Sequence, residues 1–171
     1  MYAQIQRNRH KNYSIKWAAF SVLALILLVF IDQAVKEYIV LHLKNQEFPL
    51  LGRLVYFTYA QNYGAAFGIF EGARWLLIGL PIIMVIPCMF ILFSQRIKST
   101  LASVSLLLIS AGGIGNLIDR IFRVYVVDFI NPKFINFAIF NIADSFVVVG
   151  AILLCIHLFI REGQLHRSTN K

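Results

Sequence analysis

Four long apolar runs divide this sequence, and polar or basic segments separate them. A helix of about 20 apolar residues is long enough to span the roughly 30 Å hydrocarbon core of a bilayer. The pattern therefore predicts a mainly α-helical membrane protein with four transmembrane helices. The predicted spans cover residues 17–35, 75–93, 101–118 and 142–160.

The first apolar run follows a basic leader, residues 1–16, which is also how a secretory signal peptide begins. A removable signal peptide fits less well, because the run is long and no small-x-small cleavage site follows it. We interpret residues 17–35 as the first membrane helix, with Asp32 about one turn from its outer end.

Two segments between the spans, residues 37–72 and 121–140, have a mixed composition that does not predict a further span. Residues 37–51 mix apolar positions with polar ones, which is typical of a short segment lying in the membrane interface. Residues 54–60 (LVYFTYA) are rich in β-forming side chains. We therefore expect a small extracytoplasmic β-sheet and a short interfacial helix, within a single domain of residues 1–171.

The distribution of charge predicts how the chain crosses the membrane. Apolar residues make up 59% of the sequence and charged residues 14%, and the net charge is +8. No basic stripe has the interleaved polar and aromatic positions of a nucleic-acid surface, so nucleic acid is not an expected partner. Four spans put nine Lys and Arg with one acid, Glu162, on the side of the termini, and seven cations with seven acids on the other side. This excess predicts cytoplasmic termini.

Acidic side chains near the outer ends of the spans are the candidates for chemistry, because carboxylates at membrane depth are costly. Asp32, Asp119 and Asp144 lie near the outer ends of three different spans, and Asp128 lies between the last two. Asp128 has no basic neighbour within four residues and Asp144 none within ten. Such a carboxyl tends to protonate. Two that meet can share one proton, as in aspartic proteases.

The residues alone leave three interpretations of these acids open: a proteolytic pair, a proton or ion relay in a transporter, and structural hydrogen bonding. A relay would need acids toward the cytoplasmic side, whereas the inner halves of the spans contain none. A non-catalytic assembly subunit is a further option. Asp119 and Arg120 also fit a structural ion-pair network, and Ala111 with Gly115 fits close helix packing.

Other catalytic and metal-binding classes lack their motifs. The sequence contains neither HExxH nor GxSxG. Cys88 and Cys155 lie inside apolar runs, where cysteine usually acts as a small packing residue. We therefore expect no metal site and no organic cofactor.

Five short motifs occur in order along the chain. They are Asp32-Gln33-x-x-Lys36, Asn62-x-Gly64-Ala65-Ala66-Phe67-Gly68, Gly112-Gly113-x-Gly115-Asn116-x-Ile118-Asp119-Arg120, Val126-Val127-Asp128-Phe129 and Phe140-Asn141-x-Ala143-Asp144-Ser145. In these motifs, and in its length and number of spans, the chain resembles bacterial lipoprotein signal peptidase, also called signal peptidase II.

The resemblance implies an intramembrane aspartic endopeptidase of the bacterial inner membrane. Such enzymes remove the signal peptide from prolipoproteins by cutting before a diacylglyceryl-modified cysteine. It further implies that membrane lipids and globomycin-type inhibitors bind, that the active site faces outward, and that the protein is a monomer. It assigns catalysis to Asp128 and Asp144, with a supporting set of residues: Asp32, Lys36, Asn62, Gly64, Asn116, Asp119, Arg120, Asn141, Ala143 and Ser145.

The expected mechanism uses a water molecule held between the carboxylates at the outer edge of the membrane. We expect the amides of Asn116 and Asn141 to donate to one of the two carboxylates and so to bias the shared proton. The segments 37–72 and 121–140 are expected to clamp the substrate and exclude bulk water.

Overall fold

A computed structural model describes residues 2–44, 46–65, 68–94, 97 and 99–169, with side chains described from residue 16 to residue 164 of that set. The elements follow in the order α1 (Tyr2–His42), β1 (Glu47–Leu51), β2 (Val55–Asn62), α2 (Arg74–Phe93), α3 (Thr100–Phe122), β3 (Val126–Pro132) and α4 (Ile142–Thr169). Some residues used in the sequence argument lie outside the described residues or side chains: Arg7, Arg9, Lys11, Ala66, Phe67, Arg96, Lys98, Arg167 and Lys171.

Four helices in the described part of the chain are long and apolar enough to cross a membrane: Lys16–His42, Arg74–Phe93, Thr100–Phe122 and Ile142–Gln164. The predicted four-span architecture is confirmed. The expected short interfacial helix is wrong, because residues 37–42 continue α1 and Glu47–Leu51 forms β1. Tyr2–His42 contains neither glycine nor proline, so nothing in the sequence interrupts this helix at the membrane surface.

The three strands form an antiparallel sheet in the order β1-β2-β3, which confirms the expected small sheet. The β-rich residues 54–60 lie largely in β2, the central strand. Gly52 has a φ of +58° in the turn between β1 and β2, a conformation that favours glycine. Along the other edge of β2, Ala60 pairs with Asp128 and Asn62 with Val126. This register places the two polar side chains Asn62 and Asp128 close together.

A small apolar cluster fastens the sheet to the outer end of α1. Ile39 and Leu43 of α1 are buried against Val127 and Phe129 of β3. The ring of Phe129 meets that of Phe57 on β2 edge to face, at a centroid distance of 5.8 Å. The side chains on either side of Asp128 therefore anchor β3, which holds the Asp128 carboxyl in place.

Glycines let α4 pack closely against α3. A Cβ on Gly112 would lie 2.2 Å from the carbonyl oxygen of Ala143, and one on Gly150 would lie 2.8 Å from that of Ser105. The predicted packing role of the small residues in α3 is thus confirmed. Because Ala143 immediately precedes Asp144, this contact also sets how near Asp144 comes to α3.

Candidate active site

Asp144 is held by the first turn of α4. The backbone N–H of Asp144 donates to Oδ1 of Asn141 (2.9 Å), and the backbone N–H of Asn141 donates to Oδ2 of Asp144 (3.1 Å). This reciprocal pair is a capping box, which satisfies N–H groups that a helix leaves without partners at its N-terminus. The same contacts fix the position of the Asp144 carboxyl.

Asp128 lies on β3 and is only 2% exposed. Its Oδ2 accepts from Nδ2 of Asn62 (2.8 Å), and its Oδ1 accepts from Nδ2 of Asn141 (2.7 Å). Asn62 is on the neighbouring strand, and its Oδ1 accepts from the backbone N–H of Gly64 (2.9 Å). The sheet and the start of α4 therefore each contribute one amide to this carboxyl.

The two asparagines connect the carboxyls to each other. Besides bonding Asp128, Nδ2 of Asn141 donates to Oδ1 of Asn116 (3.1 Å), and Nδ2 of Asn116 donates to Oδ1 of Asp144 (2.7 Å). The expectation that both side-chain amides serve one carboxylate is wrong, because Asn141 on α4 reaches Asp128 whereas Asn116 on α3 reaches Asp144. Each carboxyl thus has its own amide partner.

Burial raises the pKa of Asp128 from its ordinary value of 3.8 to about 7. This value already includes a smaller raising effect of the negative charge of Asp144 and the lowering effects of the hydrogen bonds from Asn62 and Asn141 and of the charge of Lys36. Desolvation disfavours the ionised form of a carboxyl, and a like charge adds to that effect. The carboxyl of Asp128 can therefore gain or lose a proton near neutral pH.

Lys36 of α1 is fully buried beneath the two carboxyls. Its Nζ lies 2.9 Å from Oδ2 of Asp32 and 3.0 Å from Oδ2 of Asp119, and donates to Oδ1 of Asn116 at 2.9 Å. A buried ammonium is tolerated only when its charge and its donors have partners. Here both conditions are met.

Asp32 and Asp119 each accept a hydrogen bond from the backbone N–H of the residue that precedes a candidate carboxyl. Oδ1 of Asp32 accepts from the N–H of Ala143 (3.0 Å), and Oδ2 of Asp119 accepts from the N–H of Val127 (3.2 Å). Gly115 leaves room for Asp32, since a Cβ there would lie 2.6 Å from Oδ2. The expected ion-pair network exists, but Asp119 pairs with Lys36 and Arg123.

Arg120 lies beside the pair. Its Nη2 donates to the carbonyl oxygen of Gly64 (3.3 Å), and its charge interacts with those of Asp128 and Asp144. Its buried Nε has no hydrogen-bond partner among the described residues. Arg120 therefore brings a positive charge close to the two carboxyls.

Two cavities meet at Asp128. The larger, of about 570 Å³, has both carboxyls and Ser145 in its wall and is otherwise mainly apolar. Its apolar walls come from α2, α3, α4 and the segment before α4: Pro81, Met84, Gly113, Phe137, Val147 and Val148. The smaller, of about 250 Å³, includes the polar side chains of Gln61 and Glu71. Asp128 therefore lies between this apolar groove and a smaller cleft with more polar walls, named here the polar cleft, whereas Asp144 lines the groove alone. In the described part of the chain, no cluster of three or more His, Cys, Asp or Glu side chains is placed to hold a metal ion.

Comparison with known proteins identifies the family. The family model described as signal peptidase (SPase) II matches residues 24–160. The chain belongs to the signal peptidase II family. The lipoprotein signal peptidases of Streptococcus pyogenes serotypes M6 and M1 are each 42% identical to it over 142 residues, which is 82% of this chain and 93% of theirs.

Two solved structures of bacterial membrane enzymes, both obtained by the in meso method, share the fold of this signal peptidase II family member. One has a TM-score of 0.77 and 31% identity, and the match covers 85% of this chain and 91% of the other. The second has a TM-score of 0.74 and 33% identity, and the match covers 82% of this chain and 92% of the other. The chain is accordingly a multi-pass membrane protein of a protease family.

The structure brings the sequence-predicted residues of this family member into one connected cluster. Besides the contacts above, Ser145 donates its hydroxyl to the carbonyl oxygen of Asn141 (3.0 Å), and Ala143 is completely buried. Gly64 is confined, since a Cβ there would lie 2.8 Å from the backbone of Gly68. The two predicted carboxyls are thus adjacent, with the supporting residues around them.

Sequence reasoning missed some contributors to the site. Arg123 pairs with Asp119 one helical turn away and with Glu37 of α1, and the i,i+4 spacing from Asp119 could have indicated it. Gln33 donates to Asp32 and to the carbonyl oxygen of Gly115, both at 3.1 Å. No pattern in the sequence could have identified the residues that line the apolar groove. Membrane helices have apolar residues both where they face lipid and where they face a groove.

Proposed function

We propose that this protein is an aspartic endopeptidase that removes the signal peptide from diacylglyceryl-modified prolipoproteins, with Asp128 and Asp144 as the catalytic residues. The observation that carries the proposal is the arrangement of the two carboxyls. They share the wall of one apolar groove, interact through their charges, and are joined through Asn141 and Asn116. The matched family supports the substrate class, because its relatives are named lipoprotein signal peptidases.

The two carboxyls have different environments, which divides the roles of acid and base between them. Asp144 lies in the first turn of α4, where the helix dipole favours a negative charge. Burial and the charge of Asp144 raise the pKa of Asp128 to about 7, so Asp128 holds the shared proton. Asp144 therefore acts as the base and Asp128 as the acid.

The reaction begins with a water molecule between the two carboxyls. Asp144 takes one proton from the water while the water oxygen bonds to the scissile carbonyl carbon. Protonated Asp128 transfers its proton to the carbonyl oxygen in the same step. The tetrahedral intermediate then collapses, the C–N bond breaks, and the leaving nitrogen takes the proton that Asp144 received. The signal peptide leaves with a new carboxyl group, the lipid-modified cysteine has a free amine, and Asp128 regains its proton.

The two cavities suit the two ends of such a substrate. The apolar groove receives the hydrophobic signal segment and the acyl chains from the bilayer, and the polar cleft beside Asp128 receives water and the hydrophilic part of the precursor. Arg120 lines the same groove, and its positive charge beside the carboxyls can attract a backbone carbonyl of the bound peptide. These contacts hold the scissile bond beside the carboxyls, which is where positioning has its effect.

Cleavage of a synthetic diacylglyceryl-cysteine precursor by the purified protein in detergent tests the proposal. Asp128→Asn and Asp144→Asn nearly preserve side-chain volume but cannot exchange the proton, so we expect each to lower kcat by about 1000-fold or more. Glu162→Gln, a matched change at an exposed carboxylate on the last helix, should retain wild-type kcat. Globomycin should inhibit the wild-type protein.

Thermal unfolding in the same detergent shows whether each variant is folded. Folded Asp128→Asn or Asp144→Asn protein that still turns over at a wild-type rate would refute the catalytic pair. A wild-type protein that cleaves neither lipid-modified nor unmodified precursors would refute the peptidase activity itself.

A further inference from the structure

Stability alone does not account for the buried charge of Lys36. Lys36, Asp32 and Asp119 are all 0% exposed, and the Nζ of Lys36 contacts a carboxylate oxygen of each acid. Replacing a buried ion cluster with well-packed apolar residues is often neutral or stabilising. The geometry around Lys36 indicates what the cluster does instead.

The first consequence concerns the amide of Asn116. An ammonium group only donates hydrogen bonds, so the oxygen of this amide must face Lys36, at 2.9 Å. Asn141 donates to the same oxygen at 3.1 Å. The NH₂ group of Asn116 is thereby turned toward Oδ1 of Asp144, 2.7 Å away. Lys36 determines which end of the amide Asp144 meets.

The second consequence concerns the backbone next to each catalytic carboxyl. Asp32, one of the two acids paired with Lys36, accepts from the N–H of Ala143, which precedes Asp144. The other, Asp119, binds the N–H of Val127, the residue before Asp128. The start of α4 and the strand β3 are separate elements, and this cluster connects both of them to one cation.

We propose that Lys36 is the positioning residue of the catalytic pair: its ammonium sets the polarity of the Asn116 amide so that an N–H faces Asp144, and through Asp32 and Asp119 it sets the separation of the two carboxyls. The proposal rests on the proposed function. It makes the activity of Asp144 as a base depend on a side chain that contacts neither the substrate nor the water.

Two variants test the proposal, with kcat and KM measured on the diacylglyceryl-cysteine precursor. Lys36→Met removes the donor that orients Asn116. Asn116→Asp keeps an oxygen for Lys36 but, once its carboxyl is ionised, has no donor for Asp144. We expect each variant to lower kcat by about 100-fold, the usual effect of removing one preorganised donor, with little change in KM.

The pH profile separates positioning from a merely structural role. In Asn116→Asp, a protonated carboxyl regains a donor for Asp144, so we expect the maximum of the kcat profile to move to lower pH. Arg123→Met is the matched control, because it removes the other cation on Asp119 without touching Asn116. It should lower the unfolding temperature but leave the pH of maximum kcat unchanged.

The outcomes separate this proposal from the proposed function. Turnover by Asp128→Asn and Asp144→Asn would refute the catalytic pair. Loss of activity in those two variants, together with wild-type kcat in Lys36→Met or Asn116→Asp, would overturn only the role of Lys36. Lys36→Met leaves two buried carboxylates without their ammonium partner and can fail to fold. Asn116→Asp retains the cluster, so wild-type kcat in that folded variant alone would overturn the proposal. An Asn116→Asp variant that is folded but inactive at every pH would also overturn it.

Discussion

The side chain of Asn141 links the Asp128 carboxyl to the backbone of Asp144 and, through Asn116, to the Asp144 carboxyl. Its Oδ1 accepts from the N–H of Asp144, while its Nδ2 donates to Asp128 and to Asn116. Each hydrogen-bonding atom of this buried amide therefore has a partner, which is the condition for a polar network at this depth. At the scale of the residue, the site depends on side-chain amides whose oxygen and NH₂ group are each fixed in position by hydrogen bonds to neighbouring residues.

The pH dependence of activity follows from the raised pKa of Asp128, about 7. In the proposed mechanism the active form has Asp128 protonated, so we expect kcat/KM to fall as the pH rises through about 7, with the midpoint belonging to the coupled pair. The hydrogen bond from Asn62 stabilises the ionised form and lowers the pKa of Asp128. Asn62→Ala should therefore raise this pKa and move the alkaline limb to higher pH.

The readout for Asn62→Ala is the position of the alkaline limb in a kcat/KM profile, independent of its height. Gln61→Ala is the matched control, because Gln61 bonds to Tyr59 and Tyr63 rather than to Asp128. An alkaline limb that stays in place in Asn62→Ala, or moves equally in both variants, would contradict the assignment.

At the scale of the elements, the position of α4 against α3 places Asp144. Three contacts fix the first turn of α4: the capping box of Asn141 and Asp144, the bond from Ala143 to Asp32, and the close approach of Ala143 to Gly112. A helix N-terminus usually leaves N–H groups for water or capping side chains. Here the partners are the same side chains that build the site, so helix capping and site assembly are coupled.

Gly112→Ala tests this coupling. The added methyl group would lie 2.2 Å from the carbonyl oxygen of Ala143, so α4 must move away from α3. We expect the free energy of unfolding to fall by about 1–3 kcal/mol and kcat to fall with it. Gly79→Ala in α2, where a Cβ has nothing within 4 Å, should be neutral or stabilising by up to about 1 kcal/mol. Equal unfolding temperatures and equal kcat for the two variants would contradict the close packing.

At the scale of the whole molecule, the apolar surface and the charges describe a protein in a bilayer. Large apolar side chains on the candidate spans are exposed, among them Phe20, Phe90 and Phe159 at 58%, 70% and 74%. Exposed apolar area of this extent marks a surface covered by something other than water. The acids of the cluster lie at the opposite end of the helices from Glu162, so the site belongs to one face of the membrane.

Labelling with a membrane-impermeant maleimide in intact cells tests the predicted orientation. In a background with Cys88→Ala and Cys155→Ala, we expect Lys133→Cys to react from outside, because Lys133 lies just after β3 beside the sheet. Glu162→Cys, near the end of the last span, should react only after the cells are opened. The reverse pattern would place the two candidate carboxyls on the cytoplasmic side.

The amino-acid pattern by itself predicted the four spans, the small sheet and the carboxyls that are candidates for the chemistry. An apolar run long enough to span the hydrocarbon core is best explained by a membrane helix. Charged side chains near such runs are easily recognised as candidates, because placing a charge in hydrocarbon costs free energy. The prediction of an interfacial helix was wrong because α1 continues to His42. The sequence pattern beyond the bilayer does not show whether a membrane helix ends at the surface or continues past it.

Only the tertiary structure decided which amide serves which carboxyl, and that Lys36 lies at the centre of the cluster. Asn116 and Asn141 are 25 residues apart in the sequence, and Lys36 is 80 residues from Asn116. Contacts at such separations depend on how closely the helices approach, which Gly112 and Gly115 set through packing distances of a few ångströms. Local sequence patterns specify which groups are present, whereas the direction of each hydrogen bond depends on neighbours that the fold alone brings together.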